Sequence, residues 1–530
     1  MRRFGTQGRV YPDRHYVVPR TEEIADFNMR VREGRYVVLF APRQTGKTTF
    51  FRMALDVLIK EDPTYFPIQL DFQVMVNGTP PIFYDRFIQL IRRHIQYILQ
   101  RRVVENPEKL MSFLKDVQLS DHFALLAFFE ELGFLLGNKR IVLLIDEFDG
   151  IPQDVVSEFL YTLRHIYLSD EMQCPHSVGI VGVKSISQLN YDRSVSPFNI
   201  QDEFRLPNFT LQQVQDLFQQ YTDEVGQEFA PEVVKTIHTQ TGGQPFLVNR
   251  FGQILTEELN ISRSETLTMS HFATAHSLLL DERNSNIEHL LTNIRRNRRF
   301  ETVLMQIASY DKGLPFTLED DIINELATYG VISRGSDSMC KIVNPIYQHR
   351  ILRAFKPLLN GLESQYLPED TGKDFIDYIT RTEHIDMVSL LDNFRDFIIR
   401  VGFRILQVPD TPKEYVGQHL LYAYLEQFVR SVGGSMYLEV QTGRGRMDLL
   451  FIHNQQKYIV ETKICEGKNR FASGKKQLAT YMELEGTLEG YYVVFDHREN
   501  PEPRVETETV NGVTIRSYVI PIVQERLSLV

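Results

Sequence analysis

Two groups of residues in this chain have the types and spacing that phosphate chemistry requires. In the first, Ala41-Pro42-Arg43-Gln44-Thr45-Gly46-Lys47-Thr48 fits G-x-x-x-x-G-K-[ST] except that Ala41 replaces the first glycine. The backbone N–H groups of such a loop surround a β-phosphate, backed by the positive end of the helix that follows. Lys47 would reach the β- and γ-phosphates, and Thr48 would ligate Mg²⁺. The expected nucleotide contacts are Ala41, Arg43, Gln44, Thr45, Gly46, Lys47, Thr48 and Thr49. Alanine is tolerated at 41 provided its φ is not positive. The apolar run Ile141–Ile145 then leads into Asp146-Glu147. Asp146 would hold the water shell of the same Mg²⁺, and Glu147 would be the base that polarises an attacking water.

The second group lies in YLEVQTGRGRMDLLFIHNQQKYIVETKI. Asp448 opens one expected strand, and Glu461-Thr462-Lys463 lies in the next. Side chains alternate along a strand, so Glu461 and Lys463 share one face, and Val460, Thr462 and Ile464 share the other. Two carboxylates from neighbouring strands can share a magnesium ion, which lowers the pKa of a bound water. A lysine one pleat away can orient that water and stabilise developing charge. This is a workable site for phosphodiester hydrolysis. Arg444 and Arg446 stand beside Asp448, where a phosphate would approach. Gln477 and Tyr481 are four apart on the next helix.

Elements must exist to position these groups. The first ~200 residues alternate apolar strands with helices, as in a parallel sheet covered on both faces. Strands are expected at 36–40, 67–72, 141–145 and 177–183, with long helices over 82–136. From Pro207 the pattern turns helical: Thr210 and Gln213 form a capping box opening a helix at 211–220. Thr241-Gly242-Gly243-Gln244-Pro245 separates two helical stretches. Residues 296–355 give helices, then two short strands around Gly335-Ser336-Asp337, a small winged-helix pattern. The last ~130 residues read as helix 413–430, strands 436–441, 446–452 and 457–464, helix 473–483 and strand 489–495. The fold class is therefore α/β and multidomain: a parallel-sheet core at 1–205, a helical lid at 206–290, a winged helix at 291–358, a linker with helices at 359–408, and an α/β module at 409–530.

Composition narrows the function classes. The 530 residues suit three or four domains, with 43% hydrophobic and 24% charged residues, as in soluble globular proteins. The net charge of −11 excludes a bulk nucleic-acid coat protein and confines any phosphate-backbone contact to a local patch. Three scattered cysteines exclude a disulfide scaffold and fit a reducing cytoplasm. There is no transmembrane-length apolar run and no signal-peptide pattern at the N-terminus, so no membrane partner is expected.

The motifs YVVLFAPRQTGKTT, IVLLIDEFD and TGGQPFLVNR resemble AAA-like ATPases of the STAND and archaeal-ATPase type, over roughly residues 10–355. The resemblance implies ATP and Mg²⁺ as cofactors, with Pro19 and Arg20 placed where that family contacts adenine. It also implies a lid turn of Gly242, Gly243 and Pro245, a sensor position at Lys184 or Ser185, and Arg164 or Arg193 as an arginine finger in cis or in trans. The C-terminal block resembles the PD-(D/E)XK nuclease superfamily over about residues 410–500, with Asp448, Glu461 and Lys463 as its acidic pair and lysine. Met447 stands where that family often has proline. The family's upstream glutamate falls on Glu414, which extends the inner stripe of Leu421, Leu425 and Phe428, whereas Glu426 falls on the other side. Glu439 is a further possible ligand. Glu414, Asp448 and Glu461 are thus the expected metal ligands. The basic cluster Arg295-Arg296-Asn297-Arg298-Arg299 is either a phosphate contact or a solvated face. Together these features imply a cytoplasmic ATPase switch fused to a metal-dependent nuclease acting on DNA in preference to RNA, with assembly into homo-oligomers open. The alternative is a nucleotide-switched signalling or scaffold protein that binds nucleic acid or protein without cutting.

Overall fold

The computed structural model describes residues 1–40, 44–76, 78–100, 107–169, 173–182, 200, 202–282, 292, 299–300, 303–304, 307, 314–354, 378–380, 382–401, 416–439, 447–454, 456–464, 468–496 and 503–521. The chain divides into two compact units, Arg2–Phe209 and Thr210–Val530, the latter joined by Met1.

The first unit opens with a short parallel pair, β1 (Arg3–Phe4) and β2 (His15–Tyr16). There follow α1 (Thr21–Arg32), β3 (Tyr36–Phe40), α2 (Lys47–Glu61), β4 (Tyr65–Asp71), α3 (Pro80–Leu99), α4 (Pro107–Asp116), α5 (His122–Leu136), β5 (Arg140–Asp146), α6 (Gln153–Leu168), β6 (Ser177–Gly182) and β7 (Asp202–Glu203). The sheet runs β4-β5-β6-β3-β7, parallel throughout. Its continuous apolar strands are explained by two cores. Tyr36, Val38, Leu143 and Ile145 pack with α3, α5 and α6 on one face. Val37, Leu39, Val142 and Leu144 pack with α1 and α2 on the other. Each fully buried aliphatic side chain contributes about 1.5–3 kcal/mol, so both faces need covering helices. β6 lies between β3 and β5, which brings the loop after β3 and the acids ending β5 to the same edge of the sheet. The carboxyl ends of parallel strands are where open α/β sheets bind ligands.

The second unit starts at α7 (Leu211–Val225), where Thr210 and Gln213 make the expected reciprocal capping box. The helix extends five residues beyond the expected 220 and stops at Gly226, whose φ is 83°. α8 (Pro231–Thr241), α9 (Pro245–Gln253) and α10 (Met269–Asp281) follow. α11 (Asp321–Thr328) leads into an antiparallel pair, β8 (Ile332–Arg334) and β9 (Cys340–Ile342), and then α12 (Pro345–Ala354). The helices expected just ahead of α11 lie mostly outside the described residues.

α13 (Met387–Val401) and α14 (Val416–Ser431) precede a mixed six-stranded sheet, with α15 (Lys468–Glu485) crossing over it. Its strands are β10 (Ser435–Glu439), β11 (Met447–His453), β12 (Gln456–Ile464), β13 (Glu489–Asp496), β14 (Arg504–Val510) and β15 (Val513–Pro521). The order is β10-β11-β12-β13-β15-β14. β10, β11 and β12 are antiparallel neighbours, β12, β13 and β15 are parallel, and β14 returns antiparallel to β15. Three features correct the sequence reading. α15 begins at Lys468 rather than 473, because Gly474 lies inside the helix without breaking it. The segment 359–408, read as linker and helices, contributes α13 to this sheet: Phe394 packs on Tyr424 and Phe495, and Arg516 approaches Asp392 at 3.5 Å. The hairpin β14–β15 was not anticipated, although Asn511-Gly512 marks it, both residues having positive φ (52° and 87°). Two left-handed residues in a row are what a tight hairpin turn demands.

Candidate functional site

The phosphate loop is built by backbone conformation. Ala41, Pro42 and Arg43 lie outside the described residues. Gln44 has φ 61° and Gly46 φ 83°, so the chain winds left-handed before α2 begins at Lys47. The start of α2 carries no side-chain cap, leaving its first N–H groups oriented as an anion site. Thr45 and Lys47 are buried, Thr49 is half-buried and Thr48 is exposed. The Thr48 hydroxyl donates to Asp146 Oδ2 at 2.8 Å. The other oxygen of Asp146 accepts the Glu147 N–H at 3.0 Å. Glu147 itself is left-handed, with φ 51° and ψ 45°, a conformation that concentrates at functional sites because it must be held there. A hydroxyl and a carboxylate in contact form a hard-oxygen pair suited to Mg²⁺.

The other expected nucleotide contacts fare differently. Pro19 is exposed, and Arg20 is 5% exposed. The Arg20 guanidinium donates to the Pro207 carbonyl at 2.8 Å, pairs with Glu23 at 3.3 Å and lies 4.7 Å from the centre of the Phe209 ring. Burial pulls its pKa down to about 10 against the opposing pull of Glu23. It therefore ties the segment before α1 to the segment that leaves the core. In the second unit, Gly242 and Gly243 have φ 56° and 68°. A methyl group on Gly242 would come within 2.7 Å of the Val343 carbonyl. Pro245 occupies the first turn of α9, which Gln244 caps through the Leu247 N–H at 2.7 Å. Arg164 is half-buried on α6 and Arg299 is exposed. Lys184, Ser185, Arg193 and Arg295 to Arg298 lie outside the described residues.

The C-terminal residues are aligned by strand register. Asp448 on β11 is the partner of Glu461 on β12, and Glu439 on β10 is the partner of Asp448. Residues directly opposite on neighbouring strands share a face and sit about 4.5–5.5 Å apart at Cβ. Three acidic positions thus form one row across three strands, and the next position along it is Tyr492 on β13. Lys463, one pleat beyond Glu461, holds its Nζ 3.7 Å from Glu461 Oε1. Only 2% of Glu461 and 8% of Lys463 is exposed. α15 crosses over this row so closely that a methyl group on Gly474 would lie 2.1 Å from the Tyr492 hydroxyl and 2.9 Å from Lys463 Nζ. Tyr481 is buried on the same helix, and Gln477 lies one turn before it. Glu414, Arg444 and Arg446 lie outside the described residues. Glu426 is buried on α14, 3.7 Å from His349 of α12.

Sequence reading missed this last contact. The stripe of Leu421, Leu425 and Phe428 is fully buried as expected, but Tyr422 and Glu426 are buried too. The Tyr422 hydroxyl bonds His349 Nδ1. His276 of α10 is fully enclosed nearby, its pKa pushed down to about 3 by burial and then by His349. His276, His349 and Glu426 line one small cavity of about 30 Å³. His349 and Tyr422 are 73 residues apart in sequence and His276 is further still, so no local pattern announces them.

A parallel five-stranded sheet, a left-handed loop ahead of α2 and the Thr48–Asp146 contact define a P-loop nucleotide-binding protein. An AAA-like domain model matches residues 7–351, and the chain belongs to that family. It has the ATPase-like character of that family. Residues 386–499 match a domain of unknown function, DUF8371. An uncharacterized WD repeat-containing protein of Synechocystis sp. is 26% identical over 269 residues, 48% of this chain. The matched stretch is about a fifth, 21%, of that relative's length. Among solved structures, the Walker-type ATPase PABY2304 of Pyrococcus abyssi is similar at 17% identity and TM-score 0.46, covering 66% of this chain and 99% of its own. The Aeropyrum pernix ORC1 protein, solved in complex with DNA, is similar at 16% identity and TM-score 0.32, covering 66% and 95%. No helix among the described residues is long and apolar enough to cross a membrane.

Proposed function

We propose that the chain is an ATP-driven switch coupled to a metal-dependent nuclease, acting on DNA in preference to RNA. For the ATPase half, the supporting observation is the Thr48–Asp146 contact at 2.8 Å. The loop amides and Lys47 bind the phosphates, Thr48 and Asp146 would hold Mg²⁺, and Glu147 takes the proton from the attacking water. Bound Mg²⁺ would neutralise charge building on the β- and γ-phosphates. Pro19 flanks the adenine, and Arg164 or Arg193 completes the site in cis or from a second copy of the chain.

For the nuclease half, the observation that carries the reading is the register Asp448↔Glu461, with Lys463 one pleat on. Asp448 and Glu461 would hold the metal, with Glu414 or Glu439 as the third acid. Lys463 orients the nucleophilic water and stabilises the phosphorane charge, while Arg444 and Arg446 receive the phosphodiester. The test is nicking of plasmid and single-stranded DNA with Mg²⁺ or Mn²⁺, with and without ATP. Cleavage lost in Asp448→Ala and Lys463→Ala supports the reading; cleavage that survives both refutes it. A second reading rests on the near-complete burial of Glu461 and Lys463: the sheet binds nucleic acid or protein without cutting. Binding with no cleavage under either metal would favour it.

A further inference from the structure

Glu147 holds a backbone that an L-residue avoids, and something must keep it there. The restraint lies on the neighbouring strand. β4 ends at Asp71, the register partner of Asp146. The chain then turns at once through Phe72–Met75, where the Asp71 carboxylate accepts the Gln73 N–H at 2.9 Å. The acidic strand β5 likewise ends in a tight turn, Phe148–Gly150. The rings of Phe72 and Phe148 stack at 5.9 Å, and both are fully buried.

Between these two turns there is no space for a side chain. A methyl group on Gly150 would lie 2.0 Å from the Phe72 carbonyl oxygen, 2.7 Å from its carbonyl carbon and 3.3 Å from the Gln73 nitrogen. All three atoms are backbone of a capped turn, so no rotamer change relieves the overlap. Gly150 is not among the glycines with positive φ. It is glycine for closeness, not for conformation. Its N–H donates to the Glu147 carbonyl at 2.9 Å. Asp146 in turn holds the Glu147 N–H on one oxygen and the Thr48 hydroxyl on the other. Any shift at Gly150 is therefore passed to Glu147 and to both oxygens of Asp146.

We infer that Gly150 is a positioning residue for ATP hydrolysis: its bare Cα against the Phe72–Gln73 peptide fixes where the Glu147 carboxylate stands. The inference rests on the ATPase reading above. The test compares full-length wild type, Glu147→Gln, Gly150→Ala, Asp71→Ala and the Gly150→Ala/Asp71→Ala double variant. Nucleotide affinity and single-turnover hydrolysis are measured separately. Gly150→Ala should keep ATP affinity within about threefold and lose about thirtyfold or more in kcat, a split that general destabilisation does not produce. Releasing the Asp71 cap should let the Phe72–Gln73 peptide retreat, so the double variant should regain at least about threefold over Gly150→Ala. If Gly150→Ala does not fold, Asp71→Ala reads the same contact from the other side, with about a three- to tenfold loss in kcat and unchanged affinity. Wild-type kcat in Gly150→Ala overturns the inference, as does wild-type kcat in Asp71→Ala where the glycine variant does not fold. Absence of hydrolysis in the wild type, or undiminished hydrolysis in Glu147→Gln, overturns the ATPase reading itself.

Discussion

The two acidic sites of this molecule are made in opposite ways. At the nucleotide site, consecutive residues supply most of the chemistry, and the local backbone aims them: Gln44 and Gly46 are left-handed, and α2 starts immediately after. In the C-terminal sheet, Glu439, Asp448 and Glu461 belong to three strands and take adjacent positions only because the register aligns them. The second depends on pairing, since a slip of one residue would send every side chain to the other face. The two lysines are equally covered, Lys47 at 7% and Lys463 at 8% exposure, but Thr48 faces solvent whereas Glu461 is only 2% exposed.

The sharpest break of this contrast is a pair of alanine variants. Asp448→Ala or Lys463→Ala should lower metal-dependent cleavage by at least about a hundredfold, roughly 3 kcal/mol of transition-state stabilisation, read on a nicked plasmid. ATP binding should be unchanged in both. In the reverse direction, Lys47→Ala should weaken ATP binding by tens-fold, about 2 kcal/mol for a charge-assisted phosphate contact, measured by titration with a fluorescent nucleotide. A Lys47→Ala protein that binds ATP normally would remove the first site from the comparison.

A third variant probes the packing that covers the second site. Gly474→Ala should destabilise the second unit by about 1–3 kcal/mol through overpacking on Tyr492, seen as a lower denaturation midpoint. An unchanged midpoint would mean that α15 does not press on the row. A fourth test concerns pH. His276 stays neutral in the fold to about pH 3, whereas an unfolded histidine protonates below about 6.5. Between those values the unfolded state binds the extra proton, so stability should fall as pH drops below about 6.5, by up to about 1.4 kcal/mol per pH unit from this residue. His349 and Glu426 line the same small cavity. Urea denaturation at pH 7 and pH 5.5 should show this loss in wild type and a smaller one in His276→Phe. Equal slopes would assign the effect to other groups. The smallest expected effect is at the β14–β15 turn: Gly512→Ala, at φ 87°, should cost about 1 kcal/mol and leave both sites unaffected.

Sequence alone determined what is written locally. The phosphate loop, the acids that end β5, the capping box at Thr210 and the alternation that puts Glu461 and Lys463 on one face all follow from neighbours within a few residues. Their physics is short-range: backbone winding, helix-end amides and the two-residue period of a strand. Tertiary structure alone decided the continuation of the row from Glu461 to Tyr492, the clamp of Arg20 on Pro207 and Phe209, the stop between Gly150 and Phe72, and the histidine junction on α14. Each of these joins residues far apart in the chain, where strand order, register and close packing of backbone choose the partner and no spacing in the sequence records it.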